Sequence, residues 1–270
     1  MKASDGAKVI IIGGKKAVSQ KVADQVEDIG GIEVERIAGK TRFETSEKIL
    51  EYGLGMGEGR WNEFCIVVSG DTYPDALSAS SFGYAAKAPI ILAHKGELSS
   101  STVDIAKGKF EYFILVGGQK AVNSNYVLDD LESNGEDYVI IRGKDRYETS
   151  RSFSEWATYG DYGGEWRYDG VVEGEKKLLN IQFDISHITF VSGNNFPDAL
   201  AAVSYAGPVK GPILLVDNNG GPEEIGKYQE FYSWKKISHP VIVGGTAALS
   251  TSIENRINEY LNMYLQHEIY

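Results

Sequence analysis

Two arginines raise the first chemical question. Arg42 and Arg146 stand in Thr41-Arg42-Phe43-Glu44 and Asp145-Arg146-Tyr147-Glu148, each one residue past a residue suited to cap a helix. A positive charge there opposes the helix dipole, so it needs an acidic partner or an anionic ligand. Arg36, Lys40, Arg142 and Lys144 lie close by in sequence, and with the two arginines they form the candidate anion contacts. Asp75 and Asp198 each follow a proline, in Tyr73-Pro74-Asp75 and Phe196-Pro197-Asp198. An acid in the first turn suits the positive end of a helix, so both read as turn-holding residues rather than catalytic acids. The glycine pairs Gly13-Gly14, Gly117-Gly118 and Gly244-Gly245 follow apolar runs and suit tight strand-to-helix turns. Ser69-Gly70 and Ser192-Gly193 resemble a nucleophile turn but lack a glycine two residues before the serine. His94, His187, His239 and His267 occupy unrelated positions with no metal-ligand spacing. No catalytic residue and no resident metal or cofactor is assigned.

The elements that position these residues repeat. One signature is VIIIGGKKAVS at Val9–Ser19, FILVGGQKAVN at Phe113–Asn123 and VIVGGTAALS at Val241–Ser250. A second is RIAGKTRFETS from Arg36 and IRGKDRYETS from Ile141. A third is VVSGDTYPDALSA from Val67 and FVSGNNFPDALAA from Phe190, and a fourth is APIILA from Ala88 and GPILLV from Gly211. Their order is the same in both passes, which is the mark of an internal repeat. Continuous apolar runs at Val9–Ile12, Cys65–Val68, Ile90–Leu92, Phe113–Val116, Val139–Ile141, Ile188–Val191, Ile213–Val216 and Val241–Val243 predict strands buried on both faces of parallel sheets. Helical spacing between them makes the fold class α/β: tandem doubly wound modules, with mainly parallel sheets flanked by helices. Thr41 and Asp145 should cap, with Glu44 and Glu148 reaching back. Thr72, Asn195, Ser19, Asn123 and Ser250 are further cap candidates.

The passes divide the chain into residues 1–30, a closing strand and helix of a partial repeat, then modules at 31–136 and 137–270. The second module carries an insertion near 161–177, Gly-rich and charged, expected as a surface loop or hairpin. The 270 residues hold 42% hydrophobic and 24% charged residues, an ordinary globular composition. A net charge of −11 argues against nucleic acid as a general partner, while leaving room for a local basic patch. Such a patch is expected at the carboxyl ends of the strands, where Lys15, Lys16 and Lys120 join the candidates above. The same charges could instead pair with the excess Asp and Glu between modules. No apolar run is long enough to insert in a membrane, and the start lacks a signal-peptide layout. Cys65 is alone, so no internal disulfide forms, and it reads as a small core residue.

The run R-x-x-G-K-x-R-[FY]-E-T-S, then S-G-[DN]-x-[FY]-P-D-A-L, then P-I-[IL]-L, then [IV]-x-V-G-G-x-x-A-[VL] closely resembles the cell wall-binding repeat 2 family of Gram-positive surface proteins. The resemblance covers nearly the whole chain outside the insertion. It implies a non-catalytic module of an exported protein, held at the cell wall by an anionic polysaccharide or teichoic-acid-like polymer. It also implies tandem modules, three being usual, so self-association or packing with a further repeat is expected. Ca²⁺ or Mg²⁺ bridging between surface carboxylates and polymer is an alternative binding mode. A cell-wall hydrolase or amidase accessory region, and a protein–protein scaffold using the aromatic stretch Trp156–Tyr168, are the rival functions.

Overall fold

A computed structural model describes residues 7–56, 60–131, 137–159, 171–174, 181, 183–218, 227 and 237–263. The chain opens with β1 (Ala7–Ile12), α1 (Gln20–Glu27), β2 (Ile32–Ile37) and α2 (Arg42–Gly55). It continues with β3 (Phe64–Ser69), α3 (Pro74–Ala86), β4 (Ile90–Ala93), α4 (Ser100–Ala106), β5 (Tyr112–Val116) and α5 (Ser124–Leu131). Next come β6 (Asp137–Arg142), α6 (Arg146–Tyr159), β7 (Val171–Gly174), β8 (Thr189–Ser192) and α7 (Phe196–Ala206). It closes with β9 (Ile213–Val216), β10 (Val241–Val243) and α8 (Thr251–Met263). The architecture is α/β, as the repeats predict.

The strands form three sheets, ordered β1-β2, β4-β3-β5-β6-β7 and β10-β8-β9. Every pairing is parallel except β6 with β7. Sheets and sequence passes do not coincide. β6 opens the second pass yet pairs with β5 of the first, Phe113 opposite Tyr138 and Leu115 opposite Ile140. β2 likewise opens the first pass and pairs with β1 before it, Val9 opposite Val34. Each pass therefore lends its first strand to the sheet behind it, and the helix that follows crosses forward. α2 packs on β4, and α6 packs on β6 and β9. This interlocking ties the passes together through main-chain hydrogen bonds as well as apolar contacts.

Two expectations need correction. β2 carries the alternating sequence IEVERI, so a search for continuous apolar runs passes over it; its residues are mostly half-buried. β1 is a continuous run but is not buried on both faces. Ile10 and Ile12 are 38% and 46% exposed, whereas their repeat counterparts Ile114 and Val116 are fully covered. The difference lies in the neighbours. Ile114 and Val116 belong to a core formed with α3 and α6 through Ala79, Phe82, Phe153 and Trp156. No described element lies over the corresponding face of β1.

The insertion contributes β7, which adds to sheet β4-β3-β5-β6 as an antiparallel edge strand, Ile141 opposite Val172. Residues 161–170 and 175–177 of the insertion lie outside the described residues. Trp156 is no surface patch: it is buried against Phe82 and Phe153, with ring centroids 5.2 and 5.6 Å away. The rest of the aromatic stretch to Tyr168 is outside the described residues from 160 on. Cys65 is buried in the opposite core face of the same sheet, as expected, and burial pushes its thiol up.

Candidate functional site

The four sequence motifs meet in space, and their meeting explains their residue types. Arg42 donates to the Gly70 carbonyl at 3.0 Å, and Arg146 donates to the Gly193 carbonyl at 2.7 Å. The unfavourable position of each arginine is thus offset by a hydrogen bond to a carbonyl at the end of the neighbouring strand, with Asp71 near Arg42 and Asp75 near Arg146 adding attraction. The next residue completes the clasp. The Phe43 ring lies on the bare α-carbon of Gly70, and the Tyr147 ring on that of Gly193, where a side chain would collide. The R-[FY] pair of one motif therefore requires the S-G pair of another.

The remaining motif residues hold the turn. Thr41 accepts from the Glu44 amide at 3.2 Å, and the Glu44 carboxylate accepts from the Lys40 amide at 2.8 Å. That backbone hydrogen bond holds the Glu44 carboxyl below its ordinary range. Asp145 and Glu148 repeat the arrangement, with Lys144 donating to Glu148 at 2.7 Å. Thr45 and Thr149 accept from the Gly39 and Gly143 amides, and Ser46 and Ser150 donate to the Ile90 and Ile213 carbonyls. The capping expectation holds at Thr41 and Asp145. It fails at Ser19 and Asn195, whose side chains make no cap bond, and at Thr72, because Tyr73 takes the cap position of α3 without one.

The strand ends of the two passes carry different polar groups on the same frame. In the first pass Asp71 meets His94 Nδ1 at 2.9 Å and accepts from the Lys95 amide, a bond that lowers its pKa. In the second pass Asn194 donates to Asp217, and Tyr147 donates to Asp217 at 2.6 Å. Burial, with that bond to Asp217, pushes the Tyr147 phenol up. Sequence reasoning missed both networks, because neither pair recurs as a motif. Ser69 Oγ is buried and accepts from the Asp71 amide, so the serine resembling a nucleophile holds a turn. Among the described residues no group of three or more His, Cys, Asp or Glu is placed to hold a metal ion.

Asp75 and Asp198 sit over the glycine turns. Gly117 has φ +121°, and a Cβ there would stand 2.5 Å from Asp75 Oδ2. Gly244 has φ +133°, with Asp198 Oδ2 3.0 Å from its Cβ position. Positive φ and close approach both demand glycine. The second glycines, Gly14, Gly118 and Gly245, have nothing within 4 Å and no positive φ, so only the first of each pair shapes its turn. Burial raises Asp75 to about 6, against a smaller opposing pull from Arg146. Tyr73 and Phe196, which are counterparts in the repeat, touch with ring centroids 5.3 Å apart, and Tyr73 donates to the Asn194 carbonyl.

At the third turn, among the described residues, only Ala17 comes within 4 Å of the Cβ position. Gly13, with φ +109°, lines a cleft of about 850 Å³ together with Lys15, Lys16, Lys40 and Arg42. Ile12, Ile49, Ile90 and Leu92 form its apolar walls. Arg36 donates from Nη1 to the Gly13 carbonyl at 2.6 Å, and its Nη2 is buried without a partner. Of the six candidate anion contacts, Lys40 and Arg42 line the cleft and Arg36 braces its turn. Arg142 ends β6, Lys144 is exposed and Arg146 clasps Gly193, so these three do not join it.

Among the described residues no helix is long and apolar enough to cross a membrane. A family model described as "Cell wall binding domain 2 (CWB2)" matches residues 36–127 and 140–254. The chain is 26% identical over 250 residues to the N-acetylmuramoyl-L-alanine amidase LytC of Bacillus subtilis, covering 92% of this chain and 42% of that protein. It is 24% identical over 252 residues to the amidase enhancer of the same organism, covering 92% of this chain and 29% of that one. The fold is similar to Cwp8 from Clostridium difficile, with TM-score 0.70 and 21% identity over 96% of this chain and 39% of that one. It is also similar to Cwp6, with TM-score 0.71 and 22% identity over 95% and 36%. The chain thus spans less than half the length of each of these relatives. Two matched segments, with four motifs in the same order in each and docked on one another in the same way, show that the chain belongs to the cell wall binding domain 2 family and is a cell wall-binding module.

Proposed function

We propose that the module holds its bearer non-covalently on the wall by binding an anionic glycopolymer, without catalysing a reaction itself. The observation that carries this reading is the cleft at Gly13. It gathers Lys15, Lys16, Lys40 and Arg42 on a chain whose net charge is −11. Positive groups concentrated in a cleft focus an attractive field that the overall charge opposes at long range. Residues 1–30, 31–136 and 137–270 are the repeat units of this reading. The exposed faces of β1 and α7 are where a further repeat or a second copy would pack.

Sedimentation with purified sacculi tests the proposal. The wild-type chain should co-sediment with intact sacculi and stay in solution once their anionic polymer is removed. Binding should weaken as salt rises, since screening shortens to about 8 Å at physiological ionic strength. Lys15→Glu with Lys16→Glu should abolish it. Binding lost to EDTA but indifferent to the lysines would replace direct contact with divalent-cation bridging. The similarity to an amidase and to an amidase enhancer favours a second reading of the whole protein, in which the module accompanies a wall hydrolase. Catalysis would then belong to sequence outside the match.

A further inference from the structure

The tripeptide Ile-Ser-His occurs twice in the chain, at Ile185–His187 and at residues 237–239. Each copy leads into a strand, β8 and β10, and these strands pair in parallel with Thr189 opposite Val241. Carried two residues back, the same register sets His187 opposite His239, and the His239 amide donates to the Ser186 carbonyl at 2.7 Å. The two imidazoles stack with centroids 4.8 Å apart and planes 9° from parallel. Neighbouring strands lie about 4.7–4.9 Å apart, so the stack is a product of strand register. In the first pass the same positions belong to Phe64 and Tyr112, which are paired in register and meet edge to face in the core. The second pass carries histidine at both positions and leaves both at the surface. His187 keeps 28% of its side chain exposed, and His239 is exposed.

Each ring is tied at Nδ1 to the serine before it. His187 Nδ1 lies 2.9 Å from Ser186 Oγ and 3.2 Å from Asp184 Oδ2, and His239 Nδ1 lies 2.8 Å from Ser238 Oγ. An ionised carboxylate only accepts, so Nδ1 of His187 carries the proton and Nε2 the lone pair. A carboxylate bonded to one ring nitrogen is the arrangement that orients histidines to ligate a metal through the other. Near-parallel rings tied alike at Nδ1 present their Nε2 atoms side by side, and no hydrogen bond among the described residues engages either Nε2. We infer that His187 and His239 form a two-histidine site for a borderline transition-metal ion, Zn²⁺ or Ni²⁺, with water filling the remaining positions. Imidazole suits these ions, whereas Ca²⁺ and Mg²⁺ take oxygen ligands. Two nitrogens about 2.0–2.1 Å from a tetrahedral ion stand roughly 3.4 Å apart, so Nε2 atoms one strand spacing apart must converge by about 1.4 Å. Exposed His239 is free to swing toward His187, which Asp184 holds in place. With two protein ligands the site exchanges its ion readily and is not a structural metal centre, which takes four.

Zinc chloride and nickel chloride are the probes, titrated calorimetrically into the tag-free full chain, with calcium chloride as the comparison. The expected result is one Zn²⁺ or Ni²⁺ per chain and no binding of Ca²⁺. His187→Gln and His239→Gln should each weaken Zn²⁺ binding at least tenfold. His239 is exposed, so its variant keeps the fold, which circular dichroism verifies for both. A second readout needs no variant. Substoichiometric Ni²⁺ is paramagnetic and should broaden the imidazole proton resonances of His187 and His239 in the wild-type chain before those of His94. No binding of either ion up to about 1 mM, the weak end of measurable affinity, would overturn the site. So would Zn²⁺ binding that survives both substitutions, or broadening confined to the other histidines. Loss of binding in His187→Gln but not in His239→Gln would overturn the pair and leave Asp184 and His187 as the ligands.

Discussion

Asp75→Asn tests the junction between the passes most sharply. Asp75 lies in the first turn of α3, a helix that packs on α6, α7 and β9, and its carboxyl sits between the Gly117 turn of the first pass and Arg146 of the second. Burial raises its pKa from 3.8 to about 6, and the attraction of Arg146 is already included in that balance. In the unfolded chain the group returns to about 3.9. A carboxyl with a raised folded pKa favours the folded state when protonated. Its contribution therefore improves as pH falls through about 6 and levels off below about 4. At pH 7 the ionised group costs about 3 kcal/mol, from roughly two pKa units at about 1.4 kcal/mol each. At pH 4.5 the cost shrinks to about 1 kcal/mol, because the folded form is by then protonated.

Asparagine keeps the shape and removes the charge, at about 1 kcal/mol for an amide left short of partners. The variant should be about 1–2 kcal/mol more stable than wild type at pH 7 and about equal to it at pH 4.5. Urea unfolding of both proteins at the two pH values measures this, read as a difference so that other carboxylates cancel. Glu44 and Asp71, whose folded pKa values are lowered, lose stability as pH falls, and they do so equally in both proteins. A variant less stable by 1 kcal/mol or more at pH 7, with no change in pH slope, would refute the reasoning. Asp75 would then be an ionised partner of Arg146 that ties the passes together.

Other substitutions separate residues that look alike in sequence. Gly117→Ala should cost about 2–3 kcal/mol, from positive φ and from collision with Asp75, while Gly118→Ala should stay within about 0.5 kcal/mol; thermal unfolding distinguishes them. Thr41→Ala and Asp145→Ala should each cost about 1 kcal/mol as lost caps, whereas Ser19→Ala, with no cap bond to lose, should be nearly silent. Tyr147→Phe should cost about 1–2 kcal/mol by removing the phenol hydrogen bond to the buried Asp217, and should abolish the raised phenol titration that ultraviolet absorbance follows.

Much of the fold was legible because the chain states it twice. Repetition marked the Gly turns, the R-[FY]-E-T-S start and the P-D helix as structural units, and each does lie at a strand-to-helix connection. What repetition could not show is which copy of a motif touches which. Arg146 and Gly193 lie within one pass, but β5 and β6 lie in different passes, and a linear reading gives no reason for the sheet to borrow across the boundary. β2 escaped notice for a physical reason: half-exposed strands alternate, and only buried strands run continuously apolar. The arginines were the opposite case. Their placement against the helix dipole was correctly read as needing compensation, yet the hydrogen bond that supplies it most directly goes to a carbonyl oxygen, which leaves no mark in sequence.

The same limit governs the site. Lys40 and Arg42 could be chosen from sequence because they sit in a repeated motif. Arg142, Lys144 and Arg146 were chosen on equal grounds, yet their surroundings differ. At Arg146 the seat over Gly117 is already taken by Asp75, and enclosure there disfavours the charge it holds. At Arg42 the equivalent space is open to solvent, with Lys15, Lys16 and Lys40 at its rim. Copies of one motif thus meet different surroundings, a property of the assembled passes that no single motif contains.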